Sequence, residues 1–423
     1  MDITRQDINK ITFKDVVDFC EQKVIENLFL DYKKDKPGDL SKQIAAFSNA
    51  SGGLIVIGVE EDANSYPAKW EGVVNINKPV DQIHQMANNV VPLPTYELAA
   101  TNEVGGRIFI LLRIIEGDSA PYVTRTDPTV WIRTGNISTP VGIANREDLI
   151  QLVNKSENSE SRRMFMKNSL IRQYSDLEEH KIAADRRRIA GTETPLPAVK
   201  HTDDRSMLDI VIMPFNPTRR IVDVKELSDL NTLFAKFVPN GGDLTSFTSS
   251  VQPVTNGLAN LRHTRTGEVE FIQVDDTGSL AYFTDLRTKN DQGNPSVYVY
   301  HIMKHLMDIL LSASLLYRSY GYNGSIIVST KLSNVKGLNV YRMTAGGMDQ
   351  ASNDLYASKH TYNWEYRFTT AELNNKEVFI DEVADLIETM HWDLGDPGIG
   401  KDNLKTILKE KFNWNIFGLE SEA

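Results

Sequence analysis

Cysteine is all but absent. Cys20 is the single one in 423 residues, so no disulfide can form within the chain and the fold must rest on packing. Its setting, VVDFCEQ, places it on a helix face, and with no base visibly paired to it the thiol reads as buried and inert. No apolar run approaches the ~20 residues of a bilayer span. The opening MDITRQDINK also lacks the basic start and apolar stretch of a signal peptide. The cytoplasm is the expected address, with no membrane partner. Positive charge is scarce as well: the net charge is −11, which argues against indiscriminate binding to polyanions. Residues 1–155 hold 16 Lys/Arg against 21 Asp/Glu, residues 156–200 hold 9 against 7, and residues 201–423 hold 21 against 29. With no large basic domain, any contact with nucleic acid must come from a few placed cations. A P-loop is missing too. GDPGIGKDN contains Gly-x-x-Gly-Lys but neither the full spacing nor the following Ser/Thr, and it reads as a turn before the last helix. No internal repeat or low-complexity tract is present.

Apolar residues at 41% and charged residues at 24% are ordinary for a globular protein, and the length allows two domains or three. The spacing of Val16, Val17, Cys20, Val24 and Leu28 predicts a helix over Lys14–Leu28, followed by an extended stretch at Phe29–Tyr32. Pro37-Gly38 breaks the chain, and Asp39 is placed to cap a helix that runs to Asn49. Gly52-Gly53 stops that helix and opens LIVIGV, a buried strand over Leu54–Val59. A helix around Val80–Asn89 and strands at Arg107–Ile115 and Thr129–Arg133 follow. Asn145 and Asp148 form a capping-box pair ahead of a helix, NREDLIQLVN.

Composition shifts between Lys155 and Pro197. A polar SENSESRR leads into a helix with Met164, Leu170, Ile171, Tyr174, Leu177 and Ile182 at helical spacing, and GTETPLP reads as a linker. Acids at Glu178, Glu179 and Asp185 beside Arg186-Arg187-Arg188 predict a helix laced with salt bridges. Beyond it, strands are expected at Met207–Pro214, at Glu268–Val274 and Ser279–Phe283 about a DDTG turn, and at SIIVST. Val299–Tyr320 is the clearest helix, with two more at Glu377–Met390 and Asp402–Phe412. His301 and His305 stand four apart on it, but no Glu follows His301 as a zinc-protease motif requires. They read as helix-surface histidines.

One group of residues carries chemistry. Glu26, Asp31 and Lys33 stand at E-x4-D-x-K, and Glu60-Glu61 end the buried strand. In an extended stretch Asp31 and Lys33 project to one side, and Glu26 can fold back toward them from a helical end. Carboxylates converging at a strand end can hold Mg²⁺ or Mn²⁺ through oxygen, polarise a phosphate and activate water. The lysine would then stabilise charge on the phosphoryl oxygens.

ENLFLDYKKD, then SKQIAAFSNASGGLIVIGVEED, then WEGV, resembles the AlbA-like domain of the Schlafen family, whose pattern runs E-x4-E-[FY]-K, I-x-A-F-A-N-x-x-G-G, and a strand ending G-V-x-[DE]. The later VWIRTGNISTPVGIANREDLIQLV is similar to that family's closing strand, turn and helix. The resemblance covers about residues 20–155. It implies a Schlafen/AlbA-like, nuclease-type domain at 1–155; with the composition shift and the element pattern beyond it, the chain reads as α+β in three parts, continuing with a charged helical linker at 156–198 and a mixed α+β sensor, regulatory or assembly domain at 199–423. By the motif, the metal-binding acids fall on Glu26, Asp31 and Glu61, with Lys33 as the accompanying cation. The second acid is Asp where the family has Glu, and the third is Glu where it has Asp, so charge is kept and reach changes by one methylene.

The implied activity is a divalent-metal-dependent endoribonuclease cleaving tRNA or a similar structured RNA, with a defence role against phage implied by the resemblance alone. The alternatives are a non-catalytic DNA- or RNA-binding regulator and an oligomeric scaffold. Lys34, Lys36, Lys42, Arg107 and Arg133 are the candidate phosphate contacts, and Arg133 leads because WIRTG matches the closing strand. Schlafen nucleases clasp RNA with two related lobes and this sequence shows one, so a homodimer is expected.

Overall fold

The computed structural model describes residues 3–35, 38–74, 79–134, 141–157, 159–189, 205–217, 220–222, 252–263, 269–286, 288–289, 295–344, 349–350, 355–412 and 414. Helices and strands are mixed throughout, an α+β chain. It divides into two units, the first comprising Met1–Ser161 with Tyr317–Ser325 and Thr369–Ala371, the second the remainder. Among the described residues no helix is long and apolar enough to cross a membrane.

The first unit runs α1 (Phe13–Glu21), β1 (Leu30–Lys33), α2 (Ser41–Asn49), β2 (Gly53–Ile57), β3 (Val59–Glu61), β4 (Pro67–Trp70), β5 (Val73–Val74), α3 (Pro79–Ala87), β6 (Val90–Val91), β7 (Tyr96–Ala100), β8 (Arg107–Ile108), β9 (Ile110–Ile114), β10 (Val123–Thr124), β11 (Trp131–Arg133), β12 (Val141–Ile143) and α4 (Arg146–Glu157). Its main sheet has the order β1-β2-β9-β7. β1 and β2 are parallel, Asp31 opposite Ile55 and Lys33 opposite Ile57, with α2 as the crossover; the other pairs are antiparallel. Alternation sorts the strand residues onto two buried faces. Ile55, Ile57 and Leu112 pack with α2 and α3, while Leu54, Val56 and Tyr32 pack with Phe19 and Cys20 of α1. A sheet covered on both sides explains why LIVI reads as a continuous apolar run.

Two boundaries differ from the sequence reading. The first helix stops at Glu21, because Lys23 takes a left-handed φ of 55°; Val24 and Leu28 lie past its end, and Glu26 sits in a loop rather than on a helical end. The strand expected over Leu54–Val59 breaks at Gly58, where φ is 109° and a Cβ would stand 2.7 Å from the Gly72 Cα. The chain turns there into β3, which pairs with β4 instead of continuing the main sheet. Cys20 is fully buried and its thiol is pushed up to about 12 by burial, as an inert core group requires. Asn145 and Asp148 form the expected reciprocal cap.

The second unit contains α5 (Ser159–Ile189) from Arg162 on, β13 (Met207–Pro214), β14 (Gln252–Val254), β15 (Gly257–His263), β16 (Val269–Asp275), β17 (Leu280–Asp285), β18 (Thr288–Lys289), β19 (Pro295–Tyr298), α6 (Val299–Ser319), β20 (Ser325–Ser333), β21 (Asn339–Met343), β22 (Asp349–Gln350), β23 (Thr361–Thr369), α7 (Thr370–Asn374), α8 (Lys376–Asp393) and α9 (Lys401–Lys411), apart from the short stretches assigned to the first. A seven-stranded sheet of order β14-β15-β16-β17-β13-β20-β23 is its centre. Leu170 and Tyr174 of α5, a helix within the segment read as a linker, belong to the core on one face with Val211, Phe271 and Phe283. Glu178 is not part of a surface charge lattice: it pairs with Arg205 at 2.8 Å, both buried. Side chains 180–189 and the GTETPLP segment lie outside the described residues. On the sheet's other face Tyr282 bonds the His305 ring at 3.0 Å. His305 is therefore not a surface histidine. Burial, with His301 and Lys304 adding to it, pushes its pKa down to about 3.

Gly53 tests the first unit's packing. A Cβ there would meet the Phe47 ring at 2.3 Å and the Phe29 carbonyl at 2.7 Å, both fixed by the crossover. Gly53→Ala is expected to cost about 1–3 kcal/mol, the usual scale of overpacking, read as a lowered urea midpoint for the first unit's transition. An unchanged midpoint would show that α2 and β1 part freely.

Candidate functional site

β1 is an end strand of its sheet, so the backbone groups of Leu30 and Tyr32 that face away from β2 have no neighbouring strand. An edge of this kind must be capped, and the capping groups here are the residues singled out in the sequence. The Tyr32 N–H donates to Glu26 Oε1 at 2.5 Å. The Tyr32 carbonyl accepts from Lys33 Nζ at 2.8 Å. Arg133 Nη2 donates to the carbonyls of Asn27 at 2.6 Å and Leu30 at 3.5 Å. Asn27 and Leu30 also exchange backbone hydrogen bonds.

Glu26 and Asp31 are 3% and 1% exposed. Lys33 Nζ donates to Asp31 Oδ1 at 2.9 Å, whereas no group reaches Asp31 Oδ2, which is buried without a partner. Burial pushes the Glu26 carboxyl up to about 9; the neighbouring Asp31 charge and hydrogen bonding to Asp31 and Glu61 push the same way, and the bond from Tyr32 N–H opposes them. Burial and the Asp31 charge together favour the protonated form of the Glu26 carboxyl at neutral pH. Glu61, on the exposed end of β3, joins through the loop to β4, where the Ser65 carbonyl accepts the Glu26 N–H at 3.0 Å. Glu26, Asp31, Lys33 and Glu61 are thus brought together. As they stand they form a proton-linked group: among the described residues no set of three or more His, Cys, Asp or Glu side chains is arranged to hold a metal ion.

Among the described phosphate-contact candidates, Arg133 alone belongs to this edge. It is buried, its guanidinium packed 4.3 Å over the Phe47 ring. Burial lowers its pKa while the charges of Asp31 and Glu26 pull it back. Nε and Nη1 are buried with no acceptor. Lys34 is exposed and paired with Glu60 at 3.1 Å. Lys42 lies 4.4 Å over the Trp131 ring, and Arg107 donates to the Gly72 carbonyl at 2.9 Å. Lys36 falls outside the described residues. Sequence reasoning passed over Asn49, whose amide donates to the carbonyls of Tyr122 and Trp131 and accepts the Tyr122 N–H. This ties β11, and with it Arg133, to α2. An asparagine closing the helix just after the apolar Ile44–Phe47 run was the available signal. Asn27, which turns the chain into β1 by accepting the Phe29 N–H on Oδ1, was legible only as an Asx-turn residue.

The raised Glu26 carboxyl fixes a sign. The folded chain holds a proton that the unfolded chain releases near 4.5, so its contribution to stability is present below that value and is lost as pH rises toward about 9. Glu26→Gln keeps an acceptor for the Tyr32 N–H and carries no charge to bury. At pH 8 this variant is expected to melt at least about 2–4 °C above the native chain, the shift that roughly 1 kcal/mol produces in a unit of this size. The difference should vanish near pH 4.5. Equal melting temperatures at both pH values would mean that Glu26 is not held neutral.

Comparison with known proteins matches residues 24–142 to the family model described as Schlafen, AlbA_2, a family with nuclease and DNA- or RNA-binding members. No curated protein matches. Among solved structures, the DIP2311 protein from Corynebacterium diphtheriae is 15% identical over 33% of this chain and 28% of its own, with a TM-score of 0.24, a likeness on which nothing here rests. The capped edge of β1, Glu26 through Arg133, lies wholly inside the matched segment, and residues 24–142 are a Schlafen/AlbA-like domain.

Proposed function

We propose that this chain is a divalent-metal-dependent endoribonuclease acting on tRNA or a similar structured RNA at the outer edge of β1. The observation that carries the reading is a pair of unmatched needs at one edge. Asp31 Oδ2 is a buried acceptor with no donor, and Arg133 Nε and Nη1 are buried donors with no acceptor. Buried polar atoms left without partners are uncommon and call for an explanation. A cation beside Asp31 and a phosphate oxygen beside Arg133 would satisfy both.

Glu26, Asp31 and Glu61 would hold Mg²⁺ or Mn²⁺; their all-oxygen donor set suits a hard cation. When bound, the ion supplies Lewis-acid polarisation of the scissile phosphate and a nucleophile from water. The chain's own residues supply the rest. Glu26 would serve as a ligand only in its ionised form, its proton passing to solvent. Lys33, already on Asp31, neutralises charge on the phosphoryl oxygens. Arg133, fixed over Phe47 and tied to the Asn27 carbonyl, orients the phosphate. With one lobe of this type in the chain, two copies would form the clasp.

The proton-linked state of the carboxyls favours one second reading, a regulator that grips DNA or RNA without cutting it. Incubating a structured RNA such as tRNA with the full chain and Mn²⁺ or Mg²⁺ separates the two. Cleavage is expected, reduced at least about 100-fold by Glu26→Ala or Asp31→Ala, the scale of losing one charge-stabilising group. Equal cleavage by these variants would remove the site. Tight, strongly salt-dependent binding with no cleavage at all would favour the regulator.

A further inference from the structure

Arg133 is one of two side chains that β11 lays against α2. Residues two apart on a strand project to one side, and the other is Trp131. The contacts pair off in order. Lys42 Nζ lies 4.4 Å from the centre of the Trp131 ring, and the Arg133 guanidinium lies 4.3 Å from that of Phe47. The two elements keep the same step: two residues of strand advance about 7 Å, and the five from Lys42 to Phe47 advance about 7.5 Å along the helix. Asn49 holds the alignment by donating to the Trp131 carbonyl at 2.9 Å. Two rungs result, each with a cation resting on an aromatic ring that steadies the charge without neutralising it. The rungs share a second property. Trp131 Nε1, like Arg133 Nε and Nη1, is buried with no hydrogen-bond partner. A buried indole N–H ordinarily finds an acceptor, and leaving it without one costs stability that a phenyl ring would not cost. The N–H is the feature of Trp131 that the fold does not use.

We propose that Trp131 Nε1 and Lys42 form a second phosphate site, one nucleotide along the strand from the phosphate that Arg133 orients. The inference rests on the nucleic-acid reading above and deepens it by setting the path of the bound strand. A step of about 7 Å between rungs matches the step between consecutive phosphates of one nucleic-acid strand. The ligand is therefore a chain with at least two consecutive phosphodiesters, and a lone phosphate or mononucleotide fills half of the site. Within the second rung the roles divide. The ammonium of Lys42 supplies charge, and the indole supplies a directed donor. One phosphate can take both, because Lys42 stands over the ring whose edge carries the N–H. Lys42 is exposed and its charge rests on a neutral ring, whereas Lys34 is paired with Glu60. Contacts of this kind fix register and carry no base sequence, so the seam between α2 and β11 brings a phosphodiester to the carboxyls whatever bases flank it.

The test follows binding of the full chain to a fluorescent stem-loop RNA by anisotropy, in a Ca²⁺ buffer at several salt concentrations. Trp131→Phe keeps a ring beneath Lys42 and deletes the N–H. It is expected to weaken binding roughly ten-fold, the scale of one hydrogen bond to a charged group, with the salt dependence unchanged. Lys42→Gln is expected to flatten the slope of log affinity against log salt by about 0.7–0.9, the share of one phosphate contact. Because the deleted N–H is unsatisfied, Trp131→Phe should melt no lower than the native chain. Weaker binding joined to a lower melting temperature would assign the indole to packing and overturn the second site. Native affinity in Trp131→Phe, or a native salt slope in Lys42→Gln, would overturn it too, while binding by the native chain leaves the nucleic-acid reading standing. A native chain that binds no RNA brings down that reading and the second site together.

Discussion

At the outer edge of β1 the amide of Tyr32 has no neighbouring strand to accept it, and the buried Glu26 carboxyl takes that place. A carboxyl drawn in for this purpose must approach Asp31, which the strand's alternation turns toward α2. Two acids at such proximity cannot both ionise in a dry setting, so one keeps its proton. The same backbone need that places Glu26 therefore sets its protonation state. Lys33 and Arg133 complete the edge and balance the charge that remains.

The rest of the first unit serves that edge. Gly53 lets β2 pass close under the turn at Phe29 and beside the Phe47 ring, and that ring is the surface on which Arg133 lies. Asn49 fastens β11 to α2, so the guanidinium is positioned by tertiary contact rather than by its own strand pairing. Gly58 diverts the chain out of the main sheet, which frees Glu61 to swing to the site through the β3–β4 loop. In the second unit the charged helix α5 packs on a seven-stranded sheet and buries the Glu178–Arg205 pair. Its role there is structural, and one partner could not be removed without leaving a buried charge.

Much of this was legible in the chain's pattern, for reasons that can be named. LIVIGV announced a strand covered on both faces, and the Asn145–Asp148 cap announced its helix, because each signal is local. Val299–Ser319 was clear because helical periodicity over so many residues has no competitor. The failures share a cause as well. The first helix was read past Glu21 because apolar spacing at Val24 and Leu28 continued the stripe, while the left-handed turn at Lys23 leaves no mark in composition. β15 and β23 escaped notice because Gly, Asn and alternating charge in GLANLRH and TYNWEYRFT dilute the strand pattern. His305 was placed on a surface since nothing local reveals that Tyr282 packs over it.

By itself the sequence determined which residue types stand at E-x4-D-x-K, that Asp31 and Lys33 share a side, and that an AlbA-like segment surrounds them. The first two follow from spacing along the chain, the third from the resemblance of its motifs. Tertiary structure alone decided that the Glu26 carboxyl favours its protonated form, that Arg133 is a buried partner of the carboxyls rather than a surface cation, and that Lys42 rests on the Trp131 ring. Protonation and burial depend on what lies across space: Glu61 reaches Glu26 from another strand, and Arg133 reaches the turn of Glu26 and Asp31 from about a hundred residues away.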